Sequence, residues 1–206
     1  LEEQDCYIAP KVYKEDEKLK KECEDANKML VAKITYDFGD RKEVVDSDEI
    51  ADWITFGDDY TFDLDEEKIT EYVHQLGLKY DTFGLSRKFT THDGQTITLK
   101  GGDYGWGINK KKTVAQLKEL VLAGETTTVE PVYLYTGVCR DTNDLGSTYI
   151  EVSIAAQTMW LYKDGQCIVS TPVVTGNVSA GHSTPSGSVW AIDARMRDYT
   201  LTGQDY

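Results

Sequence analysis

Residues 147–176, STYIEVSIAAQTMWLYKDGQCIVSTPVVTG, alternate apolar and polar side chains, which is the two-residue period of a strand with unlike faces. Ile150, Val152 and Ile154 fall on one side, and Tyr149, Glu151 and Ser153 on the other. In the next run Met159 and Leu161 oppose Trp160 and Tyr162. Asp164-Gly165 then supplies the positive φ angles of a two-residue hairpin turn. A third run, Cys167–Val174, completes a predicted β-meander. Such a sheet needs a cover for its apolar face and a partner for its edges, and this requirement constrains the rest of the chain.

Ahead of the meander the pattern changes to mixed helix and strand. Residues 1–12, with Pro10, read as an irregular lead-in. Leu19, Cys23, Ala26 and Leu30 place one apolar stripe on a helix over Tyr13–Leu30. Val31–Phe38 and Lys42–Val45 read as strands around Gly39-Asp40. Ser47 is the expected cap of a short helix burying Ile50, Trp53 and Ile54, with Gly57-Asp58-Asp59 breaking it. Asp65 is the expected N-cap of the next helix, with a Leu64–Ile69 staple, an inner face of Ile69, Tyr72, Val73 and Leu76, and an end at Gly77. Arg87–Thr91 and Thr96–Lys100 form a predicted hairpin around Asp93-Gly94. The Gly-rich segment 101–107 lacks the Gly-Lys-Ser/Thr ending of a phosphate cradle and reads as a structural loop with stacked aromatics. Asn109 and Gly124 bracket a final helix with Val114, Leu117, Leu120 and Val121 inward.

The expected class is therefore α+β. A small α+β domain spans 13–124, an extended link 125–146, and an incomplete, mostly β domain 147–206. Beyond the meander, Asn177–Gly187 is a Gly-, Ser- and Pro-rich loop, and Arg140–Gly146 a polar one. Ser188–Asp193 is read as a fourth strand, and Arg195–Arg197 with Tyr199–Leu201 as one more, giving five strand candidates and no helix. A small sheet of that kind predicts self-association through its open edge, by strand exchange among other routes.

The net charge of −14 argues against nucleic acid, since the lysines at 18–21 and 110–112 read as solvated helix faces. It also disfavours adsorption to an anionic membrane surface. The chain has four cysteines (Cys6, Cys23, Cys139, Cys167) and three histidines (His74, His92, His182), none in metal-ligand spacing, so no metal and no cofactor is expected. Two disulfides or buried free thiols both fit. The sequence holds no run of transmembrane length and opens without Met. It is expected to be excised from a longer protein, with any membrane anchor upstream.

Tyr149–Val152, Gln157–Gly165, Pro172–Gly176 and His182–Gly187 occur in an order that resembles the opening of the L,D-transpeptidase catalytic domain, the YkuD family. The region before it is similar to the peptidoglycan-binding domain that precedes such enzymes in Gram-positive bacteria. The matching features are Tyr36-Asp37-Phe38, the helix expected to end at Gly77, Gly105-Trp106-Gly107 and the closing helix. The resemblance implies an extracellular cell-wall protein acting on peptidoglycan. In the family a thiolate, with a neighbouring His, attacks a stem-peptide carbonyl, and backbone N–H groups hold the oxyanion. The acyl group then passes to an amine of a second stem.

The family's Ser/Thr-His-Gly-Cys motif does not occur in these residues, so no catalytic residue is assigned and the motif is expected beyond Tyr206. His182 is the candidate substrate-binding residue, against the plainer reading of a turn residue. A Cys167–His182 dyad competes with Cys167 as a small residue on a sheet face. Trp160, Tyr162 and Trp190 read as strand-face or core residues rather than a sugar platform. The alternative function is a non-catalytic peptidoglycan-binding or structural wall module.

Overall fold

The computed structural model describes residues 13–57, 61–140, 144–198 and 200. Its elements in order are α1 (Glu17–Leu30), β1 (Lys33–Asp37), β2 (Lys42–Val45), α2 (Ser47–Trp53), β3 (Ile54–Phe56), β4 (Phe62–Leu64) and α3 (Glu66–Tyr80). They continue with β5 (Arg87–Thr90), β6 (Thr96–Leu99), β7 (Gly107–Ile108), α4 (Lys110–Ala123), β8 (Thr126–Val129), β9 (Tyr133–Tyr135), β10 (Tyr149–Ser153), β11 (Thr158–Lys163) and β12 (Gln166–Pro172). The chain divides into two compact units, residues 1–81 with 106–134, and residues 82–105 with 135–206. Residues 82–105, which lie between α3 and β7, group with the second of these units.

The first unit is built on a three-stranded sheet in the order β2-β1-β8. β1 pairs antiparallel with β2 and parallel with β8. The expected extended link thus begins as a strand of this sheet. Thr126–Val129 is β-branched throughout and follows a helix, so its parallel pairing comes by crossover. Ile34, Tyr36 and Val45 from the sheet, with Phe38 just past β1, meet Met29, Ile50, Trp53, Ile69, Val73, Leu76, Leu117 and Val121 from the helices in one core. Each such side chain contributes on the order of 1.5–3 kcal/mol by leaving water.

The helix ends show how local chemistry sets boundaries. Asp65 accepts from the Glu67 and Lys68 N–H groups, and Leu64 and Ile69 are both buried, so cap and staple are present as expected. Asn109 caps α4 through Lys112, and Gly124 closes it in the left-handed region. Asp16 rather than Tyr13 opens α1, since its carboxylate accepts from Lys18 N–H. Asp46, not Ser47, caps α2, in a capping box with Glu49. On α1 Cys23 is exposed, and Ala26 and Met29 carry the buried contact. Ile54 is only half-buried and begins β3.

Gly77 does not end α3. It lies in the helix, where a Cβ would stand 3.1 Å from Asp81 Oδ2 and from Lys110 Cε. Asp81 Oδ1 accepts from the Ile108 N–H at 2.9 Å. The glycine is there for close approach, not for handedness.

The second unit holds the β10-β11-β12 meander, antiparallel throughout, with a bulge where Leu161 faces Val169 and Tyr162 faces Cys167. Asp164 (φ 50°) and Gly165 (φ 78°) make the predicted turn. The β5–β6 hairpin also lies in this unit. Ser188–Asp193 is not a strand: its only ladder contact among the described residues is an isolated parallel bridge from Val189 to Gly102. Arg195–Arg197 is irregular. Three strands, β10–β12, follow residue 147 among the described residues. The lead-in with Cys6, most of the Gly57-Asp58-Asp59 breaker, and Tyr199 and Leu201 of the last strand candidate lie outside the described residues.

Candidate functional site

Within the second unit the meander has two unlike faces. Strand register puts Tyr149, Tyr162 and Cys167 in one row and Glu151, Trp160 and Ser170 in the next, all on one side. The β5–β6 hairpin covers much of that side. His92, at its turn, stacks on Trp160 with centroids 4.3 Å apart and planes 11° apart. Its Nδ1 lies 2.7 Å from the Tyr162 hydroxyl, and its backbone N–H donates to Glu151 Oε1 at 2.9 Å. Phe89 meets Tyr149 edge-on, and Tyr149 stacks on Tyr162. Burial, followed by neighbouring anions including Glu151, pushes both tyrosine hydroxyls above their usual pKa. The sequence placed Trp160 and Tyr162 on a strand face, and there they are. It did not place His92 against them, because hairpin and strand are far apart in the chain.

The opposite side carries Ile150, Leu161 and Val169 in one row and Val152 and Met159 in the next. Ile150 and Val152 are each 46% exposed, Ile168 53% and Val169 39%. The alternation was read with the correct phase, and the apolar side is the open one.

The loop that follows β12 is held at both ends. At its entry Gln157, itself at φ 48°, donates through Nε2 to the Thr175 hydroxyl and accepts the Thr175 N–H on Oε1. Val173 N–H also donates to Gln157 O at 2.9 Å. Inside the loop Asn177 caps a single 3-10 turn at Val178–Ala180, and its carbonyl accepts from His182 N–H at 3.0 Å. Gly176 N–H donates to the Thr184 hydroxyl, and a Cβ on Gly176 would lie 2.0 Å from His182 O. His182 is therefore fixed by its backbone, with its side chain exposed.

Cys167 sits exposed on β12, its Sγ 3.4 Å from Val169 O. No hydrogen bond or ion pair joins it to His182 among the described residues, so the structure does not assemble that dyad. Trp190 is 53% exposed in an irregular segment rather than on a strand. No three His, Cys, Asp or Glu side chains converge as a metal set among the described residues. None of their helices is long and apolar enough to cross a membrane.

One polar cluster escaped the sequence reading. Arg87 and Asp144 form a two-pronged ion pair, Nε–Oδ1 2.6 Å and Nη2–Oδ2 2.7 Å, with side chains 9% and 7% exposed. Thr82 Oγ1 donates to Asp144, and Arg87 also donates to the Leu85, Thr82 and Tyr104 carbonyls. The Tyr104 hydroxyl donates to Asp144 O and accepts from Val138 N–H. Burial works to raise the Asp144 carboxyl pKa, but the hydrogen bonds from Arg87 and Thr82 outweigh it and hold it below the usual range. The partners are 57 residues apart, a distance at which spacing carries no signal.

Two family descriptions match the chain. "Putative peptidoglycan binding domain" covers residues 15–130, and "L,D-transpeptidase catalytic domain" covers 147–199. Among solved structures, a Cys-to-Ser mutant of Enterococcus faecium L,D-transpeptidase is 32% identical with a TM-score of 0.57, over 81% of this chain and 66% of that one. The Ldtfm–avibactam carbamoyl enzyme is 33% identical with a TM-score of 0.58, over 82% of this chain and 65% of that one. The chain thus spans just under two thirds of each of these solved chains. No curated protein matches it.

Proposed function

This chain belongs to the L,D-transpeptidases that carry a peptidoglycan-binding domain ahead of the catalytic one, and from that premise we propose that it acts at the bacterial cell wall on peptidoglycan. It supplies the wall-binding domain and the front of a catalytic domain whose parent enzyme cross-links stem peptides through a cysteine acyl-enzyme. The observation that carries this reading is the succession of both family matches in one chain, 15–130 then 147–199. The thiol of that reaction is not Cys6, Cys23, Cys139 or Cys167. None follows His-Gly, and Cys167 makes no hydrogen bond to an imidazole among the described residues. His182 serves as a substrate contact, presented on a loop braced at both ends. The open side and edges of the meander seat another chain, so the 206-residue polypeptide self-associates.

Two measurements test the proposal. Purified peptidoglycan should pull the chain down from solution, and a chain left wholly in the supernatant would refute wall binding. Incubation with a carbapenem should leave the mass unchanged. A stable acyl adduct on any of the four cysteines would show that the reactive thiol is present after all.

A further inference from the structure

Residues 100–103 and 187–191 pair across as many as 88 positions of sequence within the second unit. Lys100 N–H donates to Gly187 O at 2.6 Å, Asp103 N–H to Val189 O at 3.1 Å, and Val189 N–H to Gly101 O at 3.4 Å. The Ser188 hydroxyl donates to Lys100 O at 2.9 Å, and Ala191 N–H donates to Asp103 Oδ1 at 2.7 Å. Gly101 and Gly102 hold φ of 71° and 95°, a region that side chains other than glycine rarely adopt. A Cβ on Gly102 would lie 1.7 Å from Val189 O, so the two backbones meet only because that position is glycine.

The His182 loop ends where this pairing begins, and Gln157 holds its other end. We propose that Gly101–Asp103 is a strap that sets the position of the His182 loop, with Gly102 and Asp103 as positioning residues. The strap lies inside the stretch that matches the peptidoglycan-binding description, yet it belongs to the unit that carries the transpeptidase match. That the loop so positioned meets the peptide stem of peptidoglycan rests on the function proposed above; the coupling of strap to loop does not. Without the strap the loop has one anchored end, and its amides open by local fluctuation rather than with the sheet.

Hydrogen–deuterium exchange on the full chain tests this. In Gly102→Ala, exchange over 176–191 should quicken by about tenfold or more, while β10–β12 stays within roughly twofold of wild type. Unchanged exchange over 176–191 would overturn the strap. Asp103→Ala and Asp103→Asn decide the matter if Gly102→Ala fails to fold. Alanine removes the acceptor of Ala191 N–H and should speed the loop by about threefold or more, and asparagine, which keeps an acceptor oxygen, should restore it. Equal exchange in all three proteins would refute the coupling. Peptidoglycan pull-down of wild type runs beside it: failure there removes the stem-binding role, and the exchange pattern still decides the strap.

Discussion

Removing the Asp144 carboxylate would leave the Arg87 guanidinium buried with carbonyl partners and no counter-charge. A buried pair broken on one side typically costs about 3–5 kcal/mol, so Asp144→Ala should lower the unfolding free energy by about that much in urea titration. The carboxyl is held below its usual range in the folded chain, against about 3.9 when unfolded. Its contribution is thus complete above about pH 4 and lost as pH falls through the lower, folded value. The gap between wild type and Asp144→Asn should therefore be constant near neutrality and begin to narrow as the pH falls below about 4. A gap that does not narrow at all as the pH falls from about 4 toward 2 would show that the pair does not titrate as described. Neither residue stood out in the sequence. Asp144 lay in a stretch legible only as a polar loop, and a charge pair across 57 positions has no periodicity to betray it.

At the level of elements, boundaries set by local chemistry were legible and those set by tertiary approach were not. Asp65, Asn109 and Gly124 act within one turn of their own helix, and each was placed from its neighbours alone. Gly77 was misread as a helix end because nothing local distinguishes a terminating glycine from one that makes room for Asp81 and Lys110. The two kinds differ under mutation. Gly124→Ala must adopt φ 69° and puts a Cβ 2.7 Å from Lys28 O. It should cost about 2 kcal/mol or more, since the left-handed region alone costs roughly 1–2. Thermal unfolding checks this, and a loss below about 0.5 kcal/mol would mean that the α4 end relaxes freely. The meander teaches the same lesson. Alternation gave its strands, turn and phase, yet could not say that a hairpin bearing Phe89 and His92 would cover the Tyr149–Trp160 side. Ser188–Asp193 alternates too, but its neighbour is the Gly101–Asp103 backbone, so one bridge forms instead of a ladder.

For the molecule as a whole the unanswered demand is the apolar side of the second unit. Ile150, Val152 and Ile168 stay about half exposed, and β10 and β12 bound the sheet with no further ladder among the described residues. A contiguous apolar patch beside open strand edges is the usual substrate for association. Opposing it is a net charge of −14 per chain, which two copies must bring together. Light scattering should therefore show a mass that rises with protein concentration. The rise should be larger in about 1 M salt, where the screening length falls to roughly 3 Å and the repulsion fades while apolar attraction does not. Ile150→Lys or Val152→Lys should suppress it, with a stability change within about 0.5 kcal/mol because those side chains are already half in water. Association that weakens with salt would point to ion pairs instead. A strict monomer at every concentration and salt would mean that the open face needs no second chain, and the self-association proposed from it would have to be given up.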